Sequence, residues 1–317
     1  MAVLPPDPVY LMRGSMGPVH SLLFRINPYV EHIYAGTEKG KIYIWDLRKK
    51  RELLCLEPGD DPVLAMHIFD NENLITQQKC GIINLWKGNG SQWILDQKLV
   101  TDVLSFCRCQ PYSEEMMLIP YKNSSIGLLS LKSFDVESTL NSVDFFSSDK
   151  LGSIMAMKAV PSLNQLLVAY ESGLIALWDI NNKKILNHMQ MESCPMAIEY
   201  ETSYMRGIVG DASEQLQIFN ISKDHVLSSK CNLTLKNPGT AALAIRPNAK
   251  VFTAAGWDGR LRIFSWKSLR QLAVLDQHKE SLHCVVYSSE EVSTYNNKYL
   301  MAAAGKDGYI SLWDIYN

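Results

Sequence analysis

A few short stretches of this chain carry residue types and spacings that invite a chemical reading. The segment AGTEKGK, residues 35–41, sets two glycines ahead of a lysine, as a phosphate-cradling loop does. Its glycines stand one residue too close, Ile42 follows where a hydroxyl side chain is needed, and the pattern after it is that of a strand. The stretch therefore predicts a hairpin turn. Cys107 and Cys109 form a C-x-C inside a strand-like pattern without further ligands nearby, which is poor zinc spacing and predicts reduced, packed thiols. His20 and His283 occupy equivalent places in the repeat described below, so packing accounts for them better than a metal pair. The acidic clusters at 58–61, 113–115 and 288–291 lie in turn-rich sequence and read as solvated. No G-x-S-x-G, H-E-x-x-H or C-x-x-C occurs. The expectation is a non-enzyme with no catalytic residue, no cofactor and no metal site.

The balance of the chain agrees with that expectation. Of 317 residues 47% are hydrophobic and 20% charged, with a net charge of −2. A nucleic-acid footprint needs clustered Lys and Arg. The densest basic run here, LRKKR at 47–51, sits between two apolar strand patterns and reads as a solvated turn. Seven cysteines, at 55, 80, 107, 109, 194, 231 and 284, form an odd, scattered set that suits a reducing compartment. The opening MAVLPPDPVY lacks the basic start and apolar run of a signal peptide. No stretch reaches the roughly 18 apolar residues of a membrane span. An intracellular location is expected, and neither a membrane nor a nucleic acid as partner.

The elements that would position any site emerge from a repeat. The segment GYISLWDI near the C-terminus recurs in degenerate form along the chain. Its anchor position holds Trp45, Trp86, Leu129, Trp178, Phe219, Phe264 and Trp313, spaced by 41, 43, 49, 41, 45 and 49 residues. Five residues before the anchor stands Gly in five of the seven units, where a tight inter-strand turn favours it. Each unit reads as four short strands; PVHSLLF, HIYAGT, KIYIWDL and ELLCLE are those of the first. Sustained helical periodicity is not found.

Seven four-stranded units predict an all-β, seven-bladed propeller occupying residues 1–317 as a single domain. One unit is incomplete, because only four residues follow Trp313. PVYLMRG, residues 8–14, supplies the missing strand, so a strand from the front of the chain closes the last blade.

The Trp-Asp endings of these third strands resemble the WD-repeat family, and the resemblance covers the whole chain. In that family a His, a second-strand Ser or Thr, a turn Asp and the anchor Trp form a hydrogen-bond relay. Blade seven has His278, Asp307 and Trp313, but Ala303 stands at the hydroxyl position; blade six keeps Asp258 with Phe264 as anchor. These four polar and aromatic residues, His278, Asp307, Trp313 and Asp258, are expected to be structural. The propeller is expected to rely on apolar packing more than on the relay.

Surface for protein partners is what remains. In a propeller of this kind the loops between blades share one rim with the turns between second and third strands. Blade six there brings NPGT, from Asn237, close to GWDGR, which carries Trp257, Arg260 and Arg262. An indole beside arginines is the composition of an interface anchor; the other reading is that Trp257 folds back over its own loop. Tyr170 and Glu171 of blade four join the candidate partner-binding set.

The stretch from NPGT through IRP to AGWDGRLR, with PPDP, YESGLIALWDI, RGIVG and ISLWDIY, is similar to the G-protein β-subunit-like, Asa-type ASTRA-associated family. The resemblance implies a non-enzymatic scaffold in the cytoplasm and nucleus. It implies work with the TTT co-chaperone machinery that stabilises phosphatidylinositol-3-kinase-related kinases, and in fungi with a chromatin-linked assembly. Fewer than ten residues precede the first strand, leaving no coiled-coil helix, so no G-protein γ subunit is expected. A different function, substrate receptor of a cullin-type ubiquitin ligase, is suggested by WDLR at 45–48, which matches a W-D-x-R docking signature.

Overall fold

The computed structural model describes residues 6–88, 92–146 and 151–316. Among these residues the strands form seven four-stranded antiparallel sheets, the blades of an all-β propeller. The blades cover 19–56, 63–100, 110–140, 154–190, 195–234, 240–275 and 282–313. Each is built by hairpin succession, so neighbours in sequence are neighbours in the sheet. The last blade is the exception. Its outer position is filled by Tyr10–Met12, which runs antiparallel to Ile310–Trp313 with Leu11 opposite Ser311. The N–H of Val9 extends the ladder to the carbonyl of Leu312 at 2.8 Å. The N-terminal strand thus completes the blade that ends the chain.

The chain divides into two compact units, Met1–Met66 with Asn237–Asn317, and His67–Lys236. The first carries blades one, six and seven. Its core joins Met12 of the closing strand to Leu22, Ile33 and Trp45 of blade one and to Ala302, Ile310 and Leu312 of blade seven. The closing strand is tied to blade one as well, through the Tyr10 hydroxyl donating to the carbonyl of Lys50 at 3.1 Å. The second unit carries blades three to five and all but the first residues of blade two. There Trp178 packs with Leu118, Leu166 and Tyr170, and Phe219 with Leu167, Ile198 and Val209.

The repeat anchors explain the local geometry. All seven are buried. In six blades the ladder between third and fourth strands slips by one residue at the anchor: at Trp45, Trp86, Leu129, Trp178, Phe219 and Phe264. Leu53, for instance, is skipped between Leu54 opposite Ile44 and Glu52 opposite Trp45. Such a bulge bends and twists the outer strand. Blade seven has no such slip, because its closing strand pairs only as far as Leu312. Where Phe replaces Trp in blade five, Gly207 lies directly across the ladder; a Cβ there would stand 2.0 Å from the Phe219 ring.

The three chemically suggestive stretches resolve as packing. The 35–41 segment is a hairpin turn, with Thr37 and Lys41 bonded across it at 2.9 Å. Cys107 and Cys109 are fully buried, and burial drives both thiols upward, Cys109 to about 12. His20 and His283 stack face to face, with centroids 4.5 Å apart. No described helix is long and apolar enough to cross a membrane.

Met12 is 2% exposed and links the closing strand to the core of its unit. Met12→Ala is expected to lower the unfolding free energy by about 2–4 kcal/mol, read from denaturant melts. Removal of residues 1–14 is expected to lower the melting midpoint further. A midpoint unchanged by either variant would contradict a structural role for the pairing.

Candidate partner-binding site

The turn at 257–260 joins the second strand of blade six, Val251–Gly256, to the third, Leu261–Ser265. Asp258 organises it. Both terminal nitrogens of Arg262 donate to its carboxylate, at 3.1 and 2.6 Å. Asn237 Nδ2 donates at 2.7 Å and the backbone N–H of Arg260 at 3.2 Å. Burial acts to raise the Asp258 carboxyl, but the bonds from Arg262 and Asn237 outweigh it and hold the group below the ordinary carboxylate range. A carboxylate gripped by four donors is a rigid pivot.

Trp257 projects from that pivot. Its backbone N–H donates to the carbonyl of Gly239 at 3.0 Å. Its indole lies across Gly239, where a Cβ would stand 2.1 Å from the ring. Gly239 also has φ of 90°, a left-handed value that disfavours other residues. The two readings of Trp257 are therefore both partly realised. The ring rests on the NPGT loop, yet the residue remains 42% exposed. Arg260 beside it stays on the surface.

The six sequence-derived candidates separate. Trp257 and Arg260 form an exposed pair, braced from beneath by Asn237 and Arg262. Arg262 is a correction: it is 3% exposed and spent on Asp258, because its place in the third strand turns it inward. Tyr170 is another. It is fully buried in the other unit, its hydroxyl 2.6 Å from Ser142 Oγ, and burial pushes its phenol up to about 12. Glu171 is exposed and accepts the backbone N–H of Ser153 at 3.1 Å.

The structural set forms a relay more complete than the sequence implies. His278 Nδ1 lies 2.9 Å from the Asp307 carboxylate and Nε2 lies 2.7 Å from Ser311 Oγ. Trp313 Nε1 donates to that same Ser311 oxygen at 2.8 Å. A neutral imidazole protonated on Nδ1 uses every group: indole to hydroxyl, hydroxyl to imidazole, imidazole to carboxylate. The hydroxyl missing at Ala303 is thus supplied from the third strand, by the residue directly across the ladder from it. Blade two keeps the ordinary arrangement, Trp86 Nε1 donating to Thr76 Oγ1 at 3.1 Å. Thr76 precedes Trp86 by ten residues, as Ala303 precedes Trp313, so the two stand at the same place in their blades.

A second buried pivot affects the W-D-x-R segment. Glu31, 2% exposed, accepts the backbone N–H groups of Ser293 and Thr294 at 2.8 and 3.2 Å, and both their hydroxyls. Arg48 Nε donates to it at 3.2 Å, and another Arg48 nitrogen reaches the carbonyl of Pro28. Burial alone would raise the Glu31 carboxyl; these donors overcome it and bring it from 4.5 down to about 2. The signature arginine is therefore bonded within blade one.

Known proteins place this architecture. The family model described as "WD domain, G-beta repeat" matches residues 269–314. The mouse guanine nucleotide-binding protein subunit beta-like protein 1 is 28% identical, covering 98% of this chain and 97% of its own. ASTRA-associated protein 1 of Aspergillus flavus is 22% identical, with 98% of each chain covered. The β-propeller domain of Cps50 (Swd1) from Myceliophteria thermophila superposes with a TM-score of 0.80 at 14% identity, covering 98% of this chain and all of that one, a likeness of fold.

Two predictions follow from the pivots. Ser311→Ala is expected to cost about 1–3 kcal/mol, since it strands the Trp313 indole and the His278 nitrogen. Adding Ala303→Ser should restore part of the loss in equilibrium melts, because the new hydroxyl starts from the opposite strand; no restoration would argue against the relay. For Glu31 the folded value is depressed, so its contribution is fully present above about 4.5 and lost as pH falls through 2. Wild type should be more stable than Glu31→Gln near neutral pH, the gap closing over that acid window.

Proposed function

We propose that this chain, a WD40-repeat protein with full-length homology to guanine nucleotide-binding protein subunit beta-like protein 1 and ASTRA-associated protein 1, is a non-catalytic adaptor. It acts as a single propeller in the cytoplasm and nucleus and holds co-chaperone subunits of the TTT type against phosphatidylinositol-3-kinase-related kinases during their maturation. The name of the fungal relative, ASTRA-associated protein 1, supports assembly into a multiprotein complex. The blade-six turn is the docking point. One observation carries that assignment: Trp257 is large and exposed, yet its ring is seated on Gly239 and its neighbour Asp258 is held by Arg262 and Asn237.

An indole that is already ordered loses little entropy when a partner covers it, and Trp with Arg is the pairing in which binding energy concentrates. The ubiquitin-ligase alternative draws on WDLR, but Arg48 is engaged by Glu31 and Pro28, and adaptor docking would have to break those bonds. Membership of a chromatin-linked complex is compatible with the same docking turn.

The test is affinity purification with mass spectrometry from cells carrying Trp257→Ala with Arg260→Ala. Recovery of co-chaperone and kinase subunits should fall by about 30-fold or more, as loss of a central hot spot predicts. The melting transition should stay in place, because neither side chain is part of the core. Undiminished recovery would remove the blade-six assignment. Recovery of a ligase adaptor in place of co-chaperone subunits would favour the alternative.

A further inference from the structure

At the end of blade six away from the 257–260 turn, two further turns meet. One, 246–250, joins the first strand to the second; the other, 266–270, joins the third to the fourth. The N–H of Trp266 donates to the carbonyl of Lys250 at 2.9 Å and so ties one turn to the other. Each is also braced from within. Asn248 Oδ1 accepts Arg246 Nε at 2.9 Å and the N–H of Lys250 at 3.2 Å, and Ser265 Oγ accepts the N–H of Ser268 at 3.2 Å. The N–H of Ser265 reaches the carbonyl of Arg270 at 2.9 Å and closes the second turn. The chain past Trp313 docks on the same surface. Arg246 donates to the carbonyls of Ile315 and Tyr316, and the Tyr316 hydroxyl donates to the carbonyl of Leu272 at 3.1 Å.

Lys250, Lys267 and Arg270 stand on these turns, and all three are exposed. Neither turn contains a carboxylate. None of the three cations forms an ion pair among the described residues. The one carboxylate of the docked segment 314–316, that of Asp314, is taken up by Lys298 Nζ at 2.7 Å. The basic run of blade one is spent differently. Arg48 is bonded to Glu31 at 3.2 Å, Lys49 Nζ lies 3.9 Å from Asp46, and Lys50 Nζ lies 5.2 Å from the Tyr10 ring centroid. The densest basic stretch of the sequence is thus engaged internally, while the sparser set on blade six is not. Leu272 and Tyr316, 41% and 46% exposed, add apolar surface next to Arg270.

We propose that this end of blade six binds an acidic segment of a partner protein. Its carboxylates pair with Lys250, Lys267 and Arg270, and an apolar side chain covers Leu272 and Tyr316. Uncompensated cations on a braced frame select a partner by charge and steer its approach. Three cations fall short of the roughly four to eight that mark an anionic-lipid site. A chain of net charge −2 lacks the broad basic face of a nucleic-acid binder. The surface lies at the opposite end of the blade from Trp257, so either assignment stands if the other falls.

The probe is a labelled synthetic peptide of alternating Glu and Leu, titrated against the full chain by fluorescence anisotropy beside a copy with Lys for Glu. The acidic peptide should bind at least about tenfold more tightly, and less tightly as salt is raised. Lys250→Glu with Lys267→Glu and Arg270→Glu should reverse the preference, and Leu272→Ser should weaken binding of the acidic peptide. Trp257→Ala with Arg260→Ala should leave that binding unchanged, which separates this surface from the 257–260 turn. The reversal variant should melt with the wild type, since its three side chains are exposed. Should it not, Lys250→Gln with Lys267→Gln and Arg270→Gln takes its place and should erase the preference. Equal affinity for the two peptides, no binding, or a preference that survives both variants overturns the proposal. Tighter binding to phosphatidylcholine vesicles containing phosphatidylserine, or to single-stranded DNA, than to the acidic peptide would assign the surface to a membrane or a nucleic acid and also overturn it.

Discussion

One buried side chain on the third strand of each blade is the constraint on which the architecture depends. It must be large and apolar, and in six blades the fourth strand slips by a residue beside it. Trp, Phe and Leu all meet the demand for volume, which is why Leu129 and Phe219 stand where Trp does elsewhere. Volume lost at the anchor is matched by the opposite residue only where shape requires it, as Gly207 does under Phe219. Interiors tolerate changes of residue type better than changes of fit. Blade seven meets the constraint differently, with a relay above Trp313 and a three-residue closing strand borrowed from the other end of the chain.

That constraint is also why the fold was legible. Anchor spacing, turn glycines and strand alternation are properties of residue type and order, so seven blades and the borrowed strand were readable before any coordinates. Less of the site was. The relay hydroxyl moved from the position of Ala303 to Ser311 across the ladder, and only strand register shows that the two face each other. Arg262 and Tyr170 look like surface residues by type, but their side chains point inward and are satisfied there by Asp258 and Ser142. Trp257 was found by its oddness in a turn. Lys250, Lys267 and Arg270 were missed, because their two turns stand apart in sequence and acquire meaning together only once Trp266 is seen to pair with Lys250.

Some of the charge in this protein serves as internal bracing. Arg246, 1% exposed, donates to the carbonyls of Ile315 and Tyr316 and so holds the chain just past Trp313. Arg262 is spent on Asp258 and Arg48 on Glu31. Breaking such buried contacts is costly because a charge is left without its partner, even where the intact pair contributes little net stability. Basic residues counted along the sequence therefore overstate what the surface offers, and the residues still facing solvent carry more meaning than the total.

The exposed features that remain share a property that exposure alone does not confer. Trp257 rests on a glycine beside a carboxylate held by four donors; Tyr316 is bonded to the backbone of Leu272 and held in turn by the buried Arg246. In both places the protein has already spent conformational entropy on groups whose apolar surface remains in water. Ordering of that kind lowers the cost of association and leaves more of the contact energy to appear as affinity. A fold that needed these side chains only for its own stability would have buried them, as it buried every repeat anchor. Their rigidity is better explained by something that binds them.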